Sequence, residues 1–159
     1  MLGAAMYVSK ILMEAFPNVH LLGAFIVSMT VVYRQKALYP IYVFVFLVGL
    51  LNGFSLWWIP YLYIWAVLWL FTMLIPKKLP KKVKYILYPM VSALHGFLYG
   101  TLYAPAQALM FHYSFKTTIA WIIAGLPWDF THGVSNFICG AIFIAPLIFV
   151  YRNISTTTD

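Results

Sequence analysis

Asp129, His132 and Asn136 follow one another at i, i+3 and i+7 in an otherwise apolar stretch, which puts all three on one face of a helix. A carboxylate, an imidazole and an amide on one face can hold a polar ligand, pass a proton or satisfy one another. A second polar group, Glu14, Asn18 and His20, lies near the start of the chain. Ionisable side chains in an apolar surrounding are costly and mark either a site or a paired interior. Each residue also has a plainer role. Asp129 follows Pro127 and fits a helix N-cap, His132 can bond to Asp129 or to a carbonyl, and Asn136 can bridge two helices. Lys10 and Glu14, spaced i, i+4, can neutralise each other or join a ligand site, and the spacing alone does not choose. Trp57, Trp58, Tyr61 and Trp121 supply rings for stacking.

Other chemistries lack their residues. There is no Gly-x-Ser-x-Gly or His-Glu-x-x-His pattern and no glycine-rich phosphate loop ending in Gly-Lys-Ser/Thr, so the chain is read as a non-enzyme that does not hydrolyse ATP. His20, His112, His132, Glu14 and Asp129 fall on one side of the expected topology. Without a His-x-x-x-His or Cys-x-x-Cys pair they are not assigned a metal. The single Cys139, beside Gly140, is read as a small packing residue.

The elements that must position these residues are membrane helices. Hydrophobic residues make up 64% of the 159 and charged residues 8%, against about a quarter charged in a soluble domain; mean hydropathy is +0.91. The expected fold is an all-α integral membrane protein, one compact bundle of six transmembrane helices filling residues 1–159, with spans at about 2–16, 21–33, 38–57, 62–75, 85–104 and 129–150. Pro17-Asn18 is expected to stop the first span, and a polar tail, 155–159, to follow the last. The first stretch carries Lys10 and Glu14 and is not read as a signal peptide. Residues 105–128 are read as an interfacial loop carrying a short apolar helix. Gln107 and His112 lie at its start, within reach of the pocket, and His95 is assigned to helix packing nearer the cytoplasmic half. No internal repeat of the kind found in many secondary transporters is visible.

Charge sets the orientation. With both termini inside, Arg34, Lys36, Lys77, Lys78, Lys81, Lys82, Lys84 and Arg152 all fall in cytoplasmic gaps and only Lys116 in an outer one. The net charge of +7 is thus a topology signal with attraction to anionic lipid, not a nucleic-acid surface. This N-in, C-in arrangement brings both polar groups to the outer half of the membrane, where they can form one pocket.

The segment Ala124-Gly125-Leu126-Pro127-Trp128-Asp129-Phe130-Thr131-His132-Gly133-Val134-Ser135-Asn136 resembles the Gly-x-Pro-aromatic-Asp-x-x-His-x-x-x-Asn stretch opening the last helix of many S components, the substrate-binding subunits of energy-coupling factor vitamin transporters. Pro17-Asn18-Val19-His20-Leu21 and Lys36-Ala37-Leu38-Tyr39-Pro40-Ile41-Tyr42 are similar to stretches of one such subgroup in Gram-positive bacteria. The resemblance implies a multi-pass protein of the bacterial cell membrane that captures a vitamin from outside. It implies association with a transmembrane coupling subunit and two cytoplasmic ATPase subunits, which hold the ATP and magnesium, and a toppling motion that opens the site inward. It also implies an Ala-x-x-x-Ala coupling face on the first helix. Here the nearest match is Ala5-x-x-x-Ser9, beside Gly3 and Ala4, with serine for the second alanine.

The implied substrate site comprises Glu14, Asn18, His20, Trp57, Trp58, Tyr61, Trp121, Asp129, His132 and Asn136, and the implied coupling face Ala4, Ala5 and Ser9. Outer-side cations are limited to Lys116 and Lys10, whereas an anionic vitamin favours arginine or lysine partners. Aromatic rings and carboxylates suit a neutral or cationic heterocycle such as hydroxymethylpyrimidine, thiamine or a pyridoxine form. Cobalamin, a queuosine-type base or a metal ion stay open as cargo. A gradient-driven carrier using Asp129 and Glu14 for proton coupling, and a membrane scaffold with no small ligand, are the competing readings.

Overall fold

The computed structural model describes residues 1–16 and 18–156, with Thr156 described by its backbone alone. Pro17, expected to stop the first span, and Thr157, Thr158 and Asp159 of the expected tail lie outside the described residues. Among the described residues the chain is all α: α1 (Leu2–Leu12), α2 (Leu22–Tyr33), α3 (Leu38–Asn52), α4 (Tyr61–Met73), α5 (Lys81–Phe97), α6 (Tyr99–Phe111) and α7 (Phe115–Thr156). Short 3-10 turns at Arg34–Ala37 and Leu56–Trp58 join α2 to α3 and α3 to α4. Three stretches, Leu22–Asn52, Leu56–Met73 and Phe115–Ser155, are long and apolar enough to cross a membrane.

The first of these stretches folds back on itself. Arg34 sits at φ 54°, ψ −119°, a backbone conformation that costs a side-chain-bearing residue energy. Two bonds to α4 hold it there: the Trp69 indole N–H donates to the Arg34 carbonyl at 3.0 Å, and the Arg34 guanidinium donates to the Met73 carbonyl at 3.2 Å. Beyond the turn α3 runs antiparallel to α4, since Tyr42 donates to the Leu62 carbonyl and Trp58 to the Val45 carbonyl.

The C-terminal part of α7 runs beside α2 in the same direction, with Ser135 bonded to the Asn18 carbonyl, Ser28 to the Ile144 carbonyl and Tyr33 to the Tyr151 carbonyl. Antiparallel to it, α5 approaches so closely that a Cβ on Gly96 would lie 2.8 Å from the Gly133 Cα. Small residues at a helix crossing allow this approach. The apolar core fills the space between α2, α3 and α4 with Ile26, Met29, Phe44, Val48, Ile64, Trp65 and Leu68.

The expected loop at 105–128 is instead helical, and the expected fifth and sixth spans are parts of longer elements. Helices α5 and α6 follow each other across a kink at Leu98. Helix α7 is 42 residues, about 63 Å, roughly twice the thickness of a bilayer's hydrocarbon core. Pro105, Pro127 and Pro146 all lie inside helices rather than ending them. Within a membrane, where backbone groups have no water to turn to, a helix would continue through a proline that breaks it in water. The α6–α7 hairpin turns at His112, whose left-handed backbone (φ 53°, ψ 40°) closes α6; the residue is exposed at that turn rather than in a pocket. The hairpin exposes Leu109, Phe111, Phe115, Ile123 and Trp128.

Candidate functional site

The site is built where α5 passes into α6. Their junction brings His95 and Tyr99 against Trp65 of α4, with ring centres 5.8 and 5.9 Å away. From α7, His132 packs on Tyr99 at 4.7 Å, and His20 meets the same imidazole edge-on at 4.5 Å. The aromatic series continues outward. Trp57 touches Tyr61, Tyr61 touches Trp65, and Tyr103 stacks on Trp121 while donating its hydroxyl to the Trp57 carbonyl at 2.7 Å. His20, Trp57, Tyr61, Trp121 and His132, expected from the sequence, therefore share one aromatic wall.

Polar atoms without partners gather at this wall. Of eight buried side-chain polar atoms without a hydrogen-bond partner among the described residues, six belong here: His20 Nδ1, Trp65 Nε1, Ser92 Oγ, His95 Nδ1, His132 Nε2 and Asn136 Oδ1; the other two are Gln107 Oε1 on α6 and the Tyr151 hydroxyl near the end of α7. Their hosts are adjacent. A Cβ added to Gly23 would collide with Ser92 Oγ and lie 3.4 Å from Asn136 Oδ1, and one on Gly96 would lie 2.9 Å from Asn136 Nδ2. The Asn136 amide donates to the Ser92 carbonyl at 3.3 Å, which leaves its oxygen as a free acceptor. His95 Nε2 lies 3.0 Å from the Ile64 carbonyl, which can only accept, so in the neutral ring the proton is on Nε2 and Nδ1 is an acceptor. Most buried polar groups in folded proteins have a partner, and each exception calls for an explanation. Six in one neighbourhood call for a shared one.

His20 lies in the connection between α1 and α2. Burial of its ring lowers its pKa from 6.5 to about 4, and the nearby Lys10 ammonium acts in the same direction. It therefore stands neutral at physiological pH, able to donate from one ring nitrogen and accept at the other.

Other expected residues have different roles. Asp129 is not the N-cap of its own helix, because α7 begins at Phe115. It reaches across to α6 and accepts the Gly100 N–H on both oxygens, at 2.9 and 3.0 Å. Glu14 is exposed, and Lys10 Nζ lies 2.7 Å from its Oε1, so the i, i+4 pair forms and the carboxylate stays outside the aromatic wall. Asn18 contributes its backbone carbonyl, which accepts from Ser135 Oγ at 2.7 Å. Trp58 turns away, packing on Phe54 and donating to Val45. Ser9 is buried with its hydroxyl on the Met6 carbonyl, whereas Ala4 and Ala5 are exposed, so the expected coupling face is divided.

Sequence reasoning missed Trp65, Ser92 and Tyr99 and placed His95 too far from the site. Because α5 starts at Lys81 rather than near Tyr85, His95 falls in its last turn, next to the kink. A histidine four residues before a tyrosine was the available signal. Among the described residues no group of three His, Cys, Asp or Glu is arranged to hold a metal ion. The chain matches no protein-family model, no curated protein and no solved structure.

Proposed function

We propose that the chain is a multi-pass membrane subunit that captures a small heterocyclic nutrient, the S component of an energy-coupling factor importer. The observation that carries this reading is the cluster of six unpartnered buried polar atoms against the wall formed by Trp65, Tyr99 and His132. A flat ring with both donors and acceptors on its edge would satisfy them and gain stacking area. Asp129 is engaged by Gly100 and Glu14 by Lys10, so among the described residues no free carboxylate faces the cluster. That favours the neutral over the cationic members of the expected heterocycles, of which hydroxymethylpyrimidine and pyridoxine are examples.

The cell membrane is the setting this reading requires. Arg34, Lys77, Lys84 and Arg152 line a common recess at one end, while the histidine cluster lies toward the other. This separation supports N-in, C-in with the site in the outer half. Six crossings would be supplied by α1, α2, α3, α4, α5 with α6, and the C-terminal part of α7. Energy would come from two cytoplasmic ATPases, with ATP and magnesium, through a transmembrane coupling subunit. The exposed stripe of Ala4, Ala5, Val8 and Leu12 on α1 offers that subunit a flat surface. A proton-driven carrier has less support, because both of its candidate carboxylates are engaged. A ligand-free scaffold leaves the six polar atoms unexplained.

The test is native mass spectrometry of the chain purified in detergent from cells grown in rich medium. One small heterocycle per chain, absent from His132→Ala and Asn136→Leu variants that stay monodisperse, is the expected result. No bound species, together with no thermal stabilisation by a panel of vitamins, would sink the capture reading.

A further inference from the structure

A second recess lies far from the histidine cluster. Between α5 and α7 a groove of about 310 Å³ opens toward the end of the bundle that carries the cations. It is narrow where Pro89 faces Gly140, with 3.1 Å between the Pro89 Cα and the place of a Gly140 Cβ. Its walls are apolar, formed by Pro89, Ala141, Ile144, Ala145, Ile148 and Phe149. Its mouth carries Lys81, Lys84 and Arg152. A recess of about 200 Å³ shares Lys84, Tyr88 and Arg152 with it and adds Arg34 and Lys77.

The charges at this mouth have no acidic counterpart among the described residues. Asp129 lies about 35 Å away along α7 and bonds Gly100, and Glu14 is paired with Lys10. Lys84 spends one donor on the Lys77 carbonyl at 2.8 Å and keeps two. Some guanidinium capacity at Arg34 goes to Met73. Lys81 and Arg152 are exposed. Cations above an apolar slot fit one class of molecule, an amphiphile with an anionic head and a hydrocarbon tail.

We infer that this groove holds an anionic phospholipid, its phosphodiester on Lys81, Lys84 and Arg152 and one acyl chain along Ile144 and Ile148. The inference rests on the membrane reading above. Basic pockets between helices on the cytoplasmic side favour such headgroups. The lipid would fasten α5 to α7 at the end opposite the nutrient site.

The experiment exposes the full chain in mild detergent to equal amounts of phosphatidylglycerol and phosphatidylcholine and counts adducts by native mass spectrometry. The expected result is one phosphatidylglycerol retained at least fivefold over phosphatidylcholine. Lys81→Gln with Arg152→Gln should reduce that retention at least fivefold, and so should Ala141→Phe, which fills the slot without touching charge. Lys82→Gln, at a position that lines neither recess, should leave it unchanged. Equal retention of the two lipids would overturn the inference. So would displacement of the adduct by millimolar inorganic phosphate, which would make this a site for soluble phosphates. A chain washed off membranes by alkaline carbonate would refute the membrane reading itself, so the two failures are distinguishable.

Discussion

Asp129 and Gly100 are joined across two helices: a backbone N–H in the first turn of α6 donates to both carboxylate oxygens of a residue inside α7. The first amides of a helix have no partner in their own helix, and an anion placed there satisfies them and complements the helix dipole. At the kink between α5 and α6 the chain loses the partner that a continuous helix would have provided. Asp129 supplies it from outside and thereby ties the kink to α7, which carries His132 and Asn136. The carboxylate thus positions the site rather than filling it.

Replacing Asp129 should therefore cost stability more than binding chemistry. Asp129→Ala removes a charge-assisted bond at a buried amide, a loss of about 1.5–3 kcal/mol, and should lower the melting midpoint in detergent by several degrees. Asp129→Asn keeps one acceptor and should recover part of it. Gly100→Ala should resemble Asp129→Ala, since its Cβ would lie 2.6 Å from the carboxylate oxygen. An Asp129→Asn protein of unchanged melting point with abolished ligand binding would contradict the positioning role.

Asn136 and Ser92 should behave in the opposite way. Asn136→Leu deletes a free buried acceptor and the bond to the Ser92 carbonyl. Leaving a ligand donor unpaired costs about 1–3 kcal/mol, or roughly five- to 150-fold in affinity. Titration calorimetry with the recovered ligand should register that loss, and a smaller one for Ser92→Ala. Affinities within twofold of the parent for both variants would exclude these atoms from the site.

His20 links the site to pH. Its folded-state pKa of about 4 lies below the ordinary 6.5, so the unfolded chain takes up this proton first as pH falls. The stability contributed by the neutral ring is complete above about pH 6.5 and is lost progressively toward pH 4. Melting midpoints measured across that window should fall, and less steeply in His20→Gln. An unchanged slope in the variant would show that His20 is not among the groups responsible.

What was readable in the sequence follows from what each residue does alone. Apolar runs bounded by cations locate the helices, and α2 and α4 lie within a residue or two of the expected spans. The face shared by Asp129, His132 and Asn136 is legible because helical spacing needs no partner. Pro105 and Pro127 misled because their effect depends on the medium: water rewards a broken helix and an apolar surrounding does not. Trp65 was invisible for another reason. A tryptophan in an apolar span reads the same whether it packs on leucine or on two histidines, and only the return of α5 beside α4 distinguishes them. The Lys10–Glu14 pair was legible as an option, and the three-dimensional placement of Glu14, exposed just past the end of α1, settles it as an ion pair.

The crossing of α5 and α7 gives the sharpest contrast. Gly96 faces Gly133 backbone to backbone, and a Cβ on Gly96 would lie 2.8 Å from the Gly133 Cα and 2.9 Å from its nitrogen. Neither atom is the end of a flexible side chain, so the helices must separate. Overpacking of this kind costs about 1–3 kcal/mol, and the separation also pulls Asn136 away from Ser92. Gly125, in the same helix α7, has no atom within 4 Å of its would-be Cβ. There alanine should gain about 0.5–1 kcal/mol by restricting the unfolded chain and favouring helix. Melting midpoints should thus move in opposite directions, down for Gly96→Ala and up or unchanged for Gly125→Ala, with ligand affinity reduced only in the former. If Gly96→Ala melts no lower than the parent, α5 and α7 do not meet at this pair, and the placement of His95 beside His132 fails with it.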